Sequence, residues 1–148
     1  MRLAYILSGI SVIYCIYCSS VFSKEPNAVL SKEIAVGQIW KYDARPHESK
    51  STLTIVQIDD NVIHVSVSGL MVKDPDADDG IAESIRHLPL DISAFNKSKT
   101  KLVGAVDKLP EFEEGLSDWV KARNKGIAKP ITIPVKEVIS QVEIMINQ

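Results

Sequence analysis

An acidic stretch and three histidines are the parts of this sequence whose residue types could do chemistry. In KDPDADDGIAES, four aspartates precede a glycine, and Ca²⁺ prefers carboxylate oxygens as ligands. An EF-hand loop that begins at Asp74 needs a glycine at its sixth position and a glutamate at its twelfth, where this chain has Asp79 and Ile85. We therefore expect a solvated turn and no cofactor, with weak Ca²⁺ binding as the alternative. The candidate ligands are Asp74, Asp76, Asp78 and Asp79.

The histidines are His47, His64 and His87, and none has the spacing of a helical zinc motif such as H-E-x-x-H. Imidazole titrates near neutral pH, so His64 and His87 on adjacent strands, with Asp91 nearby, would make an acid/base pair. The alternative is that each histidine is a half-exposed residue on a polar strand face. The catalytic candidates are therefore His64, His87 and Asp91.

Other catalytic motifs are missing from the sequence. VSVSGL is not the G-x-S-x-G elbow of serine hydrolases, and neither G-x-G-x-x-G nor a P-loop is present. Both cysteines, Cys15 and Cys18, lie in the apolar N-terminal segment, where nothing lowers a thiol pKa. The carboxylates of PEFEEGLSD are explained by the start of a helix, whose dipole favours negative charge.

Four stretches have the residue types and the alternation of β-strands. They are IAVGQIWKYDA, STLTIVQID, NVIHVSVSGL and IRHLPLD. The second and third are rich in β-branched residues and are separated by Asp and Asn, which predicts a β-hairpin. In the fourth, Pro89 lacks an N–H and indicates a strand at the edge of the sheet.

The hairpin strand NVIHVSVSGL predicts which residues face the core and which face outward. Ile63, Val65 and Val67 share one face, which we expect to be buried, and His64, Ser66 and Ser68 share the polar face. An exposed aromatic residue on such a face is a natural binding anchor. The binding candidates are Trp40, Tyr42, His64, Ser66 and Ser68, with core packing as the alternative for the two aromatic residues. We expect Trp119 in the core.

The second half of the chain has helical spacing. Asp91 is a good N-cap for a helix whose stripe contains Ile92, Phe95, Leu102 and Val103, and LPEFEEGLSDWVKARNKG predicts a second helix that stops at Gly126. ITIPVKEVISQVEIMI predicts a short strand followed by an amphipathic helix. The fold class is therefore α+β: one domain, with an antiparallel sheet of three to five strands and about three helices packed on one face. The other face is either solvated or used for binding.

The N-terminus has the form of an export signal. One arginine precedes an apolar run over residues 3–22, and Val21 and Ser23 are small residues at the positions that a signal peptidase requires. We predict a signal peptide over residues 1–23, a polar leader over 24–34 and the α+β domain over 35–148. The alternative is an N-terminal membrane anchor, because residues 3–22 are long enough to span a bilayer. An exported chain without disulfides fits the bacterial periplasm, with an inner-membrane anchored or a secreted protein as alternatives.

Charge and motifs narrow the class of function. The chain has a formal net charge of −2 and no basic stripe, so we expect no nucleic-acid partner. We predict a non-enzymatic module that binds another protein or an envelope component, for example an immunity-type inhibitor of a toxin. The alternative is a small periplasmic hydrolase that uses His64 or His87 with a neighbouring carboxylate.

The order of several segments along the chain is similar to that of a known family of proteins. These segments are VGQIWKYDARPHESKSTLTIVQIDDNVIHVSVSGL, IRHLPLD, KTKLV, EFEEGLSDWVKA and ITIPVKEVI. In this order they resemble a family of small bacterial proteins with G-Q-x-W-x-Y, S-T-L-T-I and H-[IV]-S-V-x-G-L segments. That family has no assigned activity, so the resemblance implies no catalytic residue for this chain.

Overall fold

The computed structural model describes residues 33–148. The predicted signal peptide or anchor of residues 1–23 lies outside the described residues, as does most of the polar leader. The strands are β1 (Gln38–Tyr42), β2 (Thr52–Asp59), β3 (Val62–Lys73), β4 (Ile81–Asp91) and β5 (Lys99–Ala105). The helices are α1 (Ile92–Ser98), α2 (Glu113–Asn124) and α3 (Val135–Ile146), and a 3-10 turn covers Pro46–Glu48. Within residues 33–148, no helix combines the length and the apolar character needed to cross a membrane.

The five strands form one antiparallel sheet in the order β4-β3-β2-β1-β5. The α+β class, the single antiparallel sheet and the three helices are as predicted. The β2–β3 hairpin is confirmed, and its turn passes through Asp60, whose φ of 47° is a value that aspartate tolerates better than most residues. The edge position of Pro89 is also confirmed, because β4 is the outer strand next to β3.

One face of the sheet carries the main core. Ile63, Val65 and Val67 are fully buried, as their alternation predicts, and Phe95 of α1 and Ile139 of α3 pack in the same cluster. Burying such side chains stabilises a fold by about 1.5–3 kcal/mol each. The helices α1 and α3 therefore lie on the apolar face of the sheet.

The helix α2 contacts the other face. Its Trp119 packs against His64, whose side chain points away from those of its neighbours Ile63 and Val65. The expected arrangement on a single face thus applies to α1 and α3, while α2 covers part of the face that the sequence left as solvated or used for binding.

A buried ion-pair network fixes one end of β3. The guanidinium of Arg45 binds both Glu48 and Glu143. Glu48 Oε1 accepts a hydrogen bond from the N–H of Met71 at 2.8 Å, and Glu143 Oε1 accepts one from the N–H of Lys73 at 2.7 Å. Burial opposes ionisation of Glu48, yet the hydrogen bonds from Arg45 and Met71 hold the pKa of this carboxyl below its usual range. The network therefore ties the 3-10 turn and α3 to the backbone of β3.

The prediction of one long helix from Asp91 to Val103 is wrong. Asp91 is the N-cap, since its Oδ1 accepts the N–H of Ser93 at 2.8 Å, but α1 ends at Ser98. Lys99 is extended, and β5 then pairs with β1, with Leu102 opposite Trp40. Pairing of β5 satisfies backbone groups of β1 that would otherwise face solvent at a sheet edge, and this tertiary gain overrides the helical spacing.

The predicted short strand before α3 is a single bridge. Ile131 pairs in parallel with Leu90: its N–H donates to Pro89 O and its carbonyl accepts from Asp91 N–H, both at 2.8 Å. This contact covers the outer edge of β4 at Pro89, which has no N–H to donate there. α3 follows directly, with Pro134 as its N-cap.

Candidate functional site

His64 of β3 and His87 of β4 lie side by side on the second sheet face. Nδ1 of His64 is 2.8 Å from Nε2 of His87, and the two rings stack with their centroids 5.1 Å apart and an angle of 19° between their planes. The side chain of His64 is fully buried and His87 is half-buried. The two histidines lie on adjacent strands, as the sequence predicts, and their rings are in direct contact.

The neighbouring carboxylate is Asp59, not the predicted Asp91. Asp59 Oδ2 lies 3.2 Å from Nε2 of His64, within ion-pair distance but outside hydrogen-bond geometry. Gln57 Nε2 donates a hydrogen bond to the same oxygen at 2.7 Å. The carboxylate of Asp91 instead caps α1.

A β-bulge explains why sequence reasoning missed Asp59. Ile55 pairs with Val65, but the register then shifts by one residue, so Gln57 rather than Val56 lies opposite His64. This shift turns Gln57, and with it Asp59 two residues later, onto the histidine face. A regular strand would have directed both side chains to the core face, and no residue in STLTIVQID marks the bulge.

The polar atoms fix how the protons are placed on the two rings. A carboxylate next to Nε2 of His64 favours a proton on that nitrogen, because an unprotonated nitrogen would face a negative oxygen. Nδ1 of His64 then accepts, and Nε2–H of His87 donates across the 2.8 Å contact. We assign both imidazoles as neutral. In this assignment Nδ1 of His87 is the unprotonated nitrogen that accepts no proton from His64.

Burial keeps both rings neutral at pH 7. Burial, and secondarily the charge on His64, lowers the pKa of His87 from 6.5 to about 4. Burial also lowers the pKa of His64; Asp59 opposes this shift and the positive charge of Arg123 adds to it. The pair therefore holds one shared hydrogen bond and no net charge under neutral conditions.

The helix α2 closes over the histidine pair. The indole of Trp119 meets the His64 ring edge-on at 5.1 Å, and the guanidinium of Arg123 lies 5.0 Å from the centre of the same indole. Gly115 lies directly on His87, where an added Cβ would be 2.8 Å from the histidine Cβ. Only glycine allows the helix backbone to come so close.

The prediction that Trp119 packs in the core is wrong. Trp119 is half-buried and lies outside the main cluster, in a separate contact with the histidines. Its Nε1 is buried and has no hydrogen-bond partner among residues 33–148. The aromatic residue in the core is Trp40, which is 7% exposed and packs edge-on against Phe95.

Both aromatic binding candidates are inside the fold. Trp40 Nε1 donates to Gln38 Oε1 at 3.0 Å, and the hydroxyl of Tyr42 lies 2.8 Å from Ser51 Oγ. Both residues are buried and belong to the core cluster, which is the alternative that the sequence left open for them. Alternation along β1 showed that they share a face but gave no sign that this face is the buried one.

The polar candidates line a groove next to the histidine pair. We call it the hydroxyl groove, of about 360 Å³, and its floor consists of Thr52, Thr54, Ser66 and Ser68. Its walls are Ile39 and the segment that connects β5 to α2, from Val106 to Pro110. Ser66 is buried at the base and Ser68 is exposed. Two of the predicted binding residues thus lie together in one concavity.

The aspartate-rich segment is a turn between β3 and β4. Asp74 Oδ1 accepts the N–H of Asp76 at 3.0 Å, and Asp79 Oδ1 accepts the N–H of Ile81 at 3.1 Å. Such contacts stabilise turns. Within the described part of the chain, no three side chains of His, Cys, Asp or Glu come together as metal ligands. That this turn holds no cofactor, with weak Ca²⁺ binding as the alternative, stays a prediction.

No protein-family model, curated protein or solved structure matches this chain. The resemblance to small bacterial proteins with G-Q-x-W-x-Y and S-T-L-T-I segments stays a prediction.

Proposed function

We propose that this protein is an exported, non-enzymatic binding module and that a protein or envelope component binds in the hydroxyl groove. The observation that supports this proposal is the groove itself, where hydroxyls, apolar side chains and Lys108 surround one concavity. Its volume lies within the range of pockets that hold small ligands or a few side chains of a partner.

The hydroxyls of the groove retain hydrogen-bonding capacity. Thr52 Oγ1 and Ser68 Oγ are 3.2 Å apart, and Ser66 Oγ donates to Ile85 O over 3.4 Å, which are long distances for hydroxyl hydrogen bonds. Each hydroxyl has one donor and two acceptor positions. A partner can therefore form shorter bonds there without breaking a strong internal bond.

The walls supply apolar contact. Val106 is partly exposed, and Leu109 and Pro110 continue the wall towards α2. Interfaces commonly combine an apolar centre with hydrogen bonds at a moderate density. A toxin that an immunity-type protein neutralises is one concrete partner of this kind.

Site-specific photo-cross-linking tests the proposal in the cells that produce the protein. A photoreactive amino acid at position 68 should form an adduct with the partner, whereas the same residue at position 93 should not. Ser68 and Ser93 are both exposed serines, but Ser93 belongs to α1 on the opposite side of the sheet.

Binding by the purified partner then provides the quantitative test. Ser68→Arg and Thr52→Arg should weaken the Kd by at least about tenfold, while Ser93→Arg should change it by less than about twofold. Identical adducts from positions 68 and 93, or a Ser68→Arg variant with the wild-type Kd, would contradict the groove as the binding site.

A second candidate function is a small hydrolase. The observation that favours it is the series of side-chain contacts from Asp59 to His64 and from His64 to His87. A carboxylate that orients a histidine is a common acid/base arrangement. The test is hydrolysis of p-nitrophenyl acetate and p-nitrophenyl phosphate. Activity that disappears in a folded His87→Ala variant would favour the enzyme, and a wild-type protein inactive on both probes would not.

A further inference from the structure

The helix α2 is held to the sheet by a small contact. None of its twelve residues is buried, in contrast to α1 and α3. Its main contacts with the sheet are the indole of Trp119 on the His64 ring and the backbone of Gly115 on His87. Elements with few buried apolar contacts open at a lower free energy than the global unfolding of the protein. The histidine pair therefore supplies the contacts by which Trp119 and Gly115 hold α2 on the sheet.

The contact between the two rings cannot survive double protonation. In the neutral pair, one N–H lies between Nδ1 of His64 and Nε2 of His87. When both rings are protonated, both nitrogens carry hydrogens, so two donors and two positive charges face each other over 2.8 Å. The rings must then separate or reach water.

The charges around the pair offer little compensation. From β2, Asp59 faces His64, but its side chain is 42% exposed and shares its oxygen with Gln57. From α2, Arg123 adds positive charge. On the same elements, Arg86 pairs with Glu111 at 3.6 Å and Lys121 with Asp118 at 3.1 Å, both at the surface. One added proton can be balanced by Asp59, and a second has no counter-charge among these groups.

We propose that His64 and His87 are an acid-sensitive latch that holds α2 on the sheet, and that its opening regulates access to the hydroxyl groove. The connection from Val106 to Pro110 is both a wall of the groove and the segment that leads into α2, so release of the helix moves this wall. The regulation of binding rests on the proposed function, whereas the latch does not.

Acidification should favour the open position of α2, because protons bind more tightly to the open state. Burial holds the pKa of His87 at about 4 in the closed state, below the ordinary value of 6.5 that applies once the ring is hydrated. Protons therefore bind preferentially to the open state. Between these two pH values the ratio of closed to open protein should fall by up to roughly 100-fold, after allowance for screening at a half-buried ring.

NMR of the two indole N–H groups tests the latch without any partner. Trp40 lies in the core and reports on global unfolding, while Trp119 reports on α2. On acidification from about pH 8 to about pH 4, the signal of Trp119 should move to the position of a hydrated indole while that of Trp40 stays unchanged. Simultaneous change of both signals, or no change in Trp119, would overturn the latch.

Matched variants assign the effect to the pair. His87→Gln cannot be protonated and should abolish the Trp119 transition, whereas His47→Gln, at an exposed position, should leave it intact. A transition that persists in His87→Gln would overturn the assignment. If that variant does not fold, the comparison of Trp40 with Trp119 in the wild-type protein still tests whether α2 opens without global unfolding.

Access to the groove is measured separately with a soluble gadolinium chelate. At pH values below the Trp119 transition, the paramagnetic relaxation rate of the Thr54 methyl group at the groove floor should increase at least about twofold. The relaxation rates of the Leu53 methyl groups in the core should not change. An unchanged Thr54 signal would overturn the regulation of the groove. Failure of cross-linking at position 68 would instead contradict the proposed function, so the two failures are distinguishable.

Discussion

Single side chains decide the state of the second sheet face. In our assignment Asp59 favours the Nε2–H tautomer of His64, and Nδ1 of His64 accepts from His87. Gly115 allows the backbone of α2 to approach His87. Each of these contacts is made by a few atoms, so a small change in their positions removes it. A substitution that preserves polarity but changes geometry is therefore informative at these positions.

Gly115→Ala should destabilise the closed position of α2. The added Cβ would meet His87 Cβ at 2.8 Å, closer than carbon atoms approach without a shift of the backbone. Overpacking of this kind costs about 1–3 kcal/mol, which urea denaturation and the Trp119 indole signal would measure. Gly104→Ala is the matched control, because its Cβ would lie 3.9 Å from Ile39 Cδ1. Equal effects of the two substitutions would refute the close approach of α2.

Arg45→Ala should be among the most destabilising substitutions at a charged residue. It leaves Glu48, which is 1% exposed, as a buried carboxylate without its cation, and such a loss costs about 3–5 kcal/mol. Urea denaturation measures the change in the free energy of unfolding. Lys121→Ala removes an exposed pair with Asp118 and should cost at most about 1 kcal/mol. Similar losses in both variants would mean that burial of the Arg45 network is not its stabilising feature.

Among the secondary-structure elements, α1 and α3 are joined by one hydroxyl. Ser98 Oγ donates to Ala94 O at 2.7 Å and accepts the N–H of Val135 at 3.0 Å. The first N–H groups of a helix have no partner within the helix, and that of Val135 is buried. The side chain of Ser98 thus satisfies the start of α3 from the end of α1.

Ser98→Ala should lower the free energy of unfolding by about 1–3 kcal/mol, because the N–H of Val135 would be left buried without a partner. Thermal or urea unfolding measures the loss. Ser140→Ala is a suitable control, since Ser140 only bonds to Lys136 O within α3 and alanine favours a helix. A Ser98→Ala variant as stable as Ser140→Ala would show that another group satisfies Val135.

The sequence predicted most elements because their signals are local. The hairpin follows from β-branched residues around Asp and Asn, and the N-cap of α1 follows from Asp91. The boundary between α1 and β5 was missed, because Leu102 and Val103 fit a helical stripe as well as a strand. Pairing with β1 decides between these structures, and pairing is a property of the folded chain.

For the molecule as a whole, stability should be greatest between about pH 6.5 and 10. Below 6.5, His87, with a folded pKa of about 4, takes up protons more readily in the unfolded chain, so stability falls as the pH decreases towards 4. Glu48 and Glu143, whose pKa values are lowered from 4.5, lose their contribution as the pH falls further. Burial raises the pKa of Tyr42 from 10 to about 12, so stability is lost again as the pH rises through this interval.

Urea denaturation at about pH 8, 5 and 3.5 checks the acid limb. The midpoint should fall at each step, and His87→Gln should reduce the decrease between pH 8 and 5, while His47→Gln should not. A midpoint that is constant from pH 8 to 5 in the wild-type protein would contradict neutral burial of the histidine pair.

The sequence by itself determined the α+β class, the hairpin, the buried face of β3 and the strand positions of His64 and His87, because alternation and turn residues act over a few neighbours. Only the tertiary structure decided the rest. A bulge after Ile55 turned Asp59 towards the histidines, α2 settled on the second sheet face, and Trp40 rather than Trp119 entered the core. These outcomes depend on how distant segments pack and share hydrogen bonds, which residue types and spacing along the chain do not specify.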